Sequence, residues 1–310
     1  MDMNAIDWLL DSDPAIRWQA MRDLTDGAAA AVAAERGLVA TSGWGAELLA
    51  RQQPDGTWGG DPSLEQWSTS TEWFCLQSLG WLVDMGIDPT SSQAVRAANL
   101  VRDNIRWHWW DNHPFFDGEV EPCINGRVVS TGAYFGQDVS RLVDRLLGEQ
   151  MADGGWNCEQ ENGATVGSFS TSINVLEGLA EFERATGGSR AVADARRRGE
   201  AYLLERRLLR RLSNGELIDP DFSELSFPTG WHYDVLRALD YFRATGGPPD
   251  PRMAEALDVV RSSPGIDGRW LLGAAVPDQL DIGTGEQVGE PSRWITLRAL
   301  RVLRWAAAAR

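Results

Sequence analysis

The chain has 310 residues, 43% of them hydrophobic and 24% charged, the balance of a globular protein long enough for about two domains. Its net charge of −16 argues against nucleic acid and anionic membrane surfaces as partners. All 29 basic residues are arginine, which excludes a Schiff-base lysine and a lysine general base.

The N-terminal stretch "MDMNAIDWLLDSDP" is acidic and has neither the basic start nor the apolar run of a secretion signal. No apolar run approaches the roughly 18 residues of a membrane span. A cytoplasmic location and no integral membrane segment are the expectations. "DPAIRWQAMRDLTD" predicts at least one helix in an N-terminal extension over residues 1–40. From residue 41 the pattern repeats. "AELLARQQ" reads as a helix and runs into "RQQPDGTWGG" (51–60). A second helical pattern follows at 68–86. The next pair starts near residue 92, passes through "RWHWWDNHPFF" (106–116) and "FFDGEVEPC" (115–123), and ends in a helix at 123–136. A third starts near 138 with "VSRLVDRLLGEQ", turns through "EQMADGGWNC" (149–158) and continues as a helix at 168–188. A fourth starts near 190 and reaches a helix at 226–247 past "DPDFSEL" (219–225). A fifth starts near 252, turns at "PGIDGRW" and ends in a helix at 290–306. "ERATGG" and "FRATGG" close two of these helices with glycine. No period-2 strand of any length is found, so the expected fold is all-α. Helix pairs that cannot bury their apolar faces alone stack on their neighbours. Residues 41–310 are therefore read as one repeat domain of five helix pairs.

Two turns share Gln-x-x-x-Gly-x-Trp: Gln52, Gly56 and Trp58, then Gln150, Gly154 and Trp156. A third copy keeps Gly268 and Trp270 and has Pro264 in place of the glutamine. The phrase resembles the QW motif of squalene and oxidosqualene cyclases, whose fold protein prenyltransferase β subunits share. The likeness covers roughly residues 45–306. It implies an α/α-toroid, a ring of inner and outer helices, in which the QW phrase is structural. The glycine permits the turn, the indole packs over the preceding helix end, and the glutamine bonds exposed helix-end groups.

Class II terpene cyclases carry an Asp-x-Asp-Asp acid at an inner helix start. The corresponding stretches here are "STST" (68–71), "SFST" (168–171), "FPTGW" (227–231) and "EPS" (290–292), and none holds paired aspartates. The nearest substitute is Asp117, Glu119 and Glu121. In an extended segment the three face one way, and crowding raises at least one pKa. They are the candidate catalytic acids, the alternative being a solvated acidic loop. Asp219, Asp221 and Glu224 form another acidic loop, and Asp234 follows His232 by two residues. Prenyltransferase β subunits bind zinc through Asp-x-Cys at an inner helix start and a later His. By that resemblance, Glu121-x-Cys123 and His232 are the candidate metal ligands, joined by Cys158 only if the ring brings its loop close, with burial as the plain reading of each cysteine.

Fifteen tryptophans bear on the cavity that a toroid implies. Trp67, Trp73, Trp231, Tyr233 and Trp294 stand at or near inner helix starts, and Trp107, Trp109, Trp110, Phe115 and Phe116 cluster in one loop. Their faces can steer a carbocation, bind an inert apolar ligand or pack a core. Three cysteines, with no CxxC pair, argue against a disulfide framework and a zinc ribbon. No GxSxG, P-loop or GxGxxG is present. The resemblance thus implies a terpene-cyclase- or prenyltransferase-like protein with an isoprenoid or other apolar ligand. Acid-initiated cyclisation or isomerisation is the first expectation. A non-catalytic lipid- or protein-binding toroid and a zinc-dependent transferase or hydrolase are the alternatives. No cofactor is expected under the first reading; zinc is the cofactor of the last. The sequence leaves the oligomeric state open.

Overall fold

Helices form where apolar residues recur at three- and four-residue spacing between capping side chains. In the computed structural model, residues 3–59, 70–265, 267–275 and 280–308 are described. The helices are α1 (Met3–Leu10), α2 (Pro14–Leu24), α3 (Ala29–Gly37), α4 (Gly43–Ala50), α5 (Thr71–Asp84), α6 (Ser92–Asn104) and α7 (Pro122–Tyr134). They continue as α8 (Ser140–Gly148), α9 (Phe169–Thr186), α10 (Arg190–Glu205), α11 (Val235–Thr245), α12 (Ala254–Ser262) and α13 (Arg293–Ala308). Among the described residues, β structure is confined to a short hairpin, β1 (Arg106–Trp107) with β2 (His113–Pro114), and single bridges. The protein is all-α. No described helix is long and apolar enough to cross a membrane. The first helix of each expected pair starts at 43, 92, 140, 190 or 254, close to the periodicity.

Two compact units divide the chain: Met1–Trp44 with Leu203–Arg310, and Gly45–Tyr202. In the Gly45–Tyr202 unit, the second helix of each pair packs on the next of its kind, α5 on α7 and α7 on α9. Serine caps begin two of them: Ser70 Oγ accepts from the Trp73 N–H at 3.1 Å, and Ser168 Oγ from the Thr171 N–H at 3.4 Å. The α7–α9 approach is backbone to backbone. A Cβ on Gly126 would lie 2.6 Å from the Asn174 carbonyl oxygen, and one on Gly178 would strike the Gly126 carbonyl oxygen.

The indoles of the repeated turns act as the sequence suggests, whereas each glutamine bonds its own turn and the middle of a helix, not the expected helix end. Trp58 Nε1 donates to the Leu48 carbonyl at 2.8 Å, Trp156 to Leu146 at 2.7 Å and Trp270 to Val260 at 2.8 Å. In each case the acceptor lies ten residues earlier, in or beside the last turn of the preceding helix. Gln52 Nε2 donates to the Gly56 and Ala97 carbonyls, both at 3.1 Å. Gln150 does the same with Gly154 at 2.7 Å and Ala195 at 2.8 Å. The glutamine therefore ties its own turn to the first helix of the next pair, α6 or α10. Gly56 and Gly154 hold φ of +94° and +89°, and a Cβ on either would collide with the Leu100 or Arg198 carbonyl.

In the other unit α13 packs against α11 and α2, so both ends of the sequence share one core. Arg301 on α13 pairs with Asp240 on α11 at 2.8 Å and donates to Gln19 Oε1 on α2 at 2.9 Å. Of the helix expected at 226–247, only the part from Val235 is helical. Asp234 is its cap, accepting from the Arg237 N–H at 2.8 Å, and its other oxygen accepts from Ser226 Oγ at 3.0 Å. Asp234 therefore precedes the helix rather than lying on a face of it. Burial raises its pKa, against the N–H groups of Arg237 and Ser226 that favour its charge.

Candidate functional site

α7 opens on Glu121-Pro122-Cys123. Glu121 is the N-cap residue, and Pro122 takes the first helical position, where no N–H is needed. Cys123 is nearly buried, and its Sγ donates to Glu121 Oε2 at 3.4 Å. Cys158 arrives from the next repeat. It follows the Gly154–Trp156 turn and starts a 3-10 turn, Cys158–Gln160, capped by Asn157. Its Sγ lies 3.4 Å from Thr171 Oγ1, in the first turn of α9. The close α7–α9 packing draws these helix starts together. The Glu121 carboxylate and both sulfurs fall within 4.8 Å of one another.

The two thiols are unequal. The hydrogen bond between Cys123 and Cys158 raises the Cys123 pKa, and burial and Glu121 raise it further. The same bond lowers Cys158, with help from Thr171 and against burial. Two sulfurs on one tetrahedral zinc ion, each about 2.3 Å from it, stand about 3.8 Å apart. The observed separations therefore need only a small closure. One carboxylate and two thiols supply three ligands and leave a fourth position, the pattern of catalytic zinc sites. The donor set fits a thiophilic divalent ion. Thr171, which the sequence did not single out, supplies the outer contact that such a ligand set uses. Its signal was its place in the capping run "SFST".

The acidic run is not one extended face. Phe115–Asp117 is a 3-10 turn, and Gly118, at φ +81°, redirects the chain after it. Asp117 is exposed, on a groove of about 330 Å³ shared with Arg102 and Arg141. Glu119 is buried, and its Oε1 accepts from the Glu121 N–H at 2.7 Å. Burial pushes its carboxyl up to about 7, against the N–H groups of Glu121 and Val120. Asn125 holds the Glu119 backbone through both its amide atoms, at 2.8 and 2.9 Å. Only Glu121 joins the cysteines.

The aromatic candidates separate into two groups. Trp73, Phe116, Tyr233 and Trp294 are buried. Tyr233 donates its hydroxyl to the Leu208 carbonyl at 2.7 Å, and Trp294 stacks on Phe227 at 4.5 Å. Trp109, Trp110 and Trp231 are more than one-third exposed. Trp67 lies outside the described residues. Trp107 and Phe115, in the same loop as Trp109, are buried and stack on each other at 5.1 Å. His232 belongs to the unit that contains the chain ends. Its ring stacks on Trp231 at 3.8 Å, burial lowers its pKa, and its buried Nε2 has no hydrogen bond among the described residues. No protein-family model matches the chain, and no curated protein does so either.

Proposed function

We propose that the chain is an isoprenoid-handling enzyme of the squalene-cyclase and prenyltransferase-like toroid class, with its chemical centre at Glu121, Cys123 and Cys158. The observation that carries this reading is the convergence of these three side chains, from two different repeats, within 4.8 Å. The repeated Gln/Gly/Trp turns and the tryptophan-rich composition support the class, and the carboxylate-x-thiol start of α7 parallels the zinc ligands of prenyltransferase β subunits. In this reading the protein is a zinc-dependent transferase rather than an acid-initiated cyclase, because of the three acids Glu121 alone stands with two thiols. Three free cysteines agree with a reducing, cytoplasmic setting.

Each residue has a distinct part. Cys123 and Cys158 would bind as thiolates, releasing their protons to solvent. Glu121 adds a hard oxygen to the two soft sulfurs. A bound zinc ion would supply a Lewis acid that favours the deprotonated form of a thiol or hydroxyl brought to its fourth position. Elemental analysis of protein purified without a metal-binding tag tests the reading. About one zinc per chain is expected, and almost none in the Cys123→Ser, Cys158→Ser double variant. Wild-type protein that is folded, free of zinc and unable to take it up contradicts it.

A further inference from the structure

Glu72 is the second residue of α5 and is fully buried. A carboxylate there needs partners, and it has few. Its Oε1 accepts from the His108 backbone N–H at 3.3 Å and from His108 Nδ1. Its Oε2 is buried with no hydrogen bond among the described residues.

His108 sits where β1 leaves the core. Trp107, just before it, is buried and donates its indole N–H to the Phe115 carbonyl at 2.8 Å. That bond fixes the base of the hairpin. The next side chain turns outward, so the His108 imidazole is 44% exposed. Its ring runs parallel to Trp109, at 9° and 6.4 Å between centroids. One nitrogen is held inside by a buried carboxylate, and the ring reaches solvent beside an exposed indole.

A carboxylate that accepts Nδ1–H selects the tautomer whose Nε2 lone pair is free. It also offsets the charge that appears when Nε2 takes a proton. For packing alone, an apolar side chain of similar volume serves as well as a buried ion pair. We propose that Glu72 and His108 form a proton-accepting dyad, a second chemical site in the Gly45–Tyr202 unit. His108 Nε2 takes the proton of an O–H or S–H group, from a substrate alcohol or thiol or from water. The oxygen or sulfur keeps the electron pair as the nucleophile. The imidazolium is balanced by Glu72 and returns its proton to solvent through the exposed edge of the ring. The inference does not depend on the metal reading, since none of its atoms belongs to the Glu121–Cys123–Cys158 cluster.

The chain has three histidines, so nitrogen-15 NMR can assign each ring, and His113 in the same hairpin is an internal control. Neutral His108 is expected to carry its proton on Nδ1. Diethyl pyrocarbonate, which acylates an unprotonated imidazole nitrogen, is expected to modify His108 at Nε2 several-fold faster than His113 at a pH where both rings are neutral. Glu72→Gln is expected to abolish that advantage. The tautomer is read on the wild-type protein, so it stands even if the variant fails to fold. A neutral His108 carrying its proton on Nε2, or modification no faster than that of His113, overturns the proposal.

Discussion

Cys158→Ser keeps the size of the side chain and its contact with Thr171 but replaces a soft donor with a poor one. Outer partners of metal ligands are worth about 10–100-fold in affinity. Loss of Cys158 itself is therefore expected to weaken zinc binding by more than about 100-fold, and Thr171→Val by about tenfold, both read by competition with a chromophoric chelator. Gln150→Leu tests the turn. It leaves the Gly154 and Ala195 carbonyls without the amide that joins them and is expected to cost about 1–2 kcal/mol in urea unfolding. The turn was legible in the sequence because its partners are local or one repeat away, so the same letters recur. The cysteine pair was legible only as two candidate letters. Cys123 and Cys158 meet because α7 and α9 touch through Gly126 and Asn174, and no local pattern encodes that approach. Glu72 and His108 escaped notice for the same reason: they lie 36 residues apart and share no motif.

At the scale of the element, the α7–α9 contact decides where the site residues stand. Gly126→Ala forces a methyl group against the Asn174 backbone and is expected to cost about 1–3 kcal/mol of stability, measured by chemical denaturation. Spreading the helices also separates Cys123 from Cys158, so the variant is expected to bind zinc more weakly than wild type even where it is folded. The helix starts were readable from serine caps and apolar spacing. The exception is α11, where apolar and aromatic residues at 226–233 imitate a helix. Asp234 instead spends its carboxylate on capping α11 and on Ser226, which holds the preceding segment as a loop. Gly118 misled in the same way, because an alternating acidic run reads as extended only while the backbone between its members stays extended.

For the molecule, composition and charge bound the possible partners, and a buried ion cluster couples stability to pH. In the unit holding the chain ends, burial alone would raise the Asp240 carboxyl, but Arg301, Arg243 and Arg298 outweigh it and hold it well below the usual carboxylate range. A carboxyl lowered by folding contributes stability in full above its unfolded value of about 4 and loses it as the pH falls below that. Asp240→Asn is expected to lower stability by about 3–5 kcal/mol at neutral pH and to flatten the acid limb of the stability curve below about pH 4, read from unfolding midpoints across that range. The pairing was not legible in advance, because Asp240 and Arg301 are 61 residues apart and the sequence shows only an acidic chain rich in arginine. A cobalt titration of the metal-free protein decides whether Glu121, Cys123 and Cys158 hold a metal ion. Thiolate-to-cobalt charge-transfer absorption is expected to saturate at one ion per chain, to fall in Cys123→Ser and in Cys158→Ser, and to be displaced by zinc. Cobalt binding without that absorption, or the same absorption in both variants, would contradict the metal site.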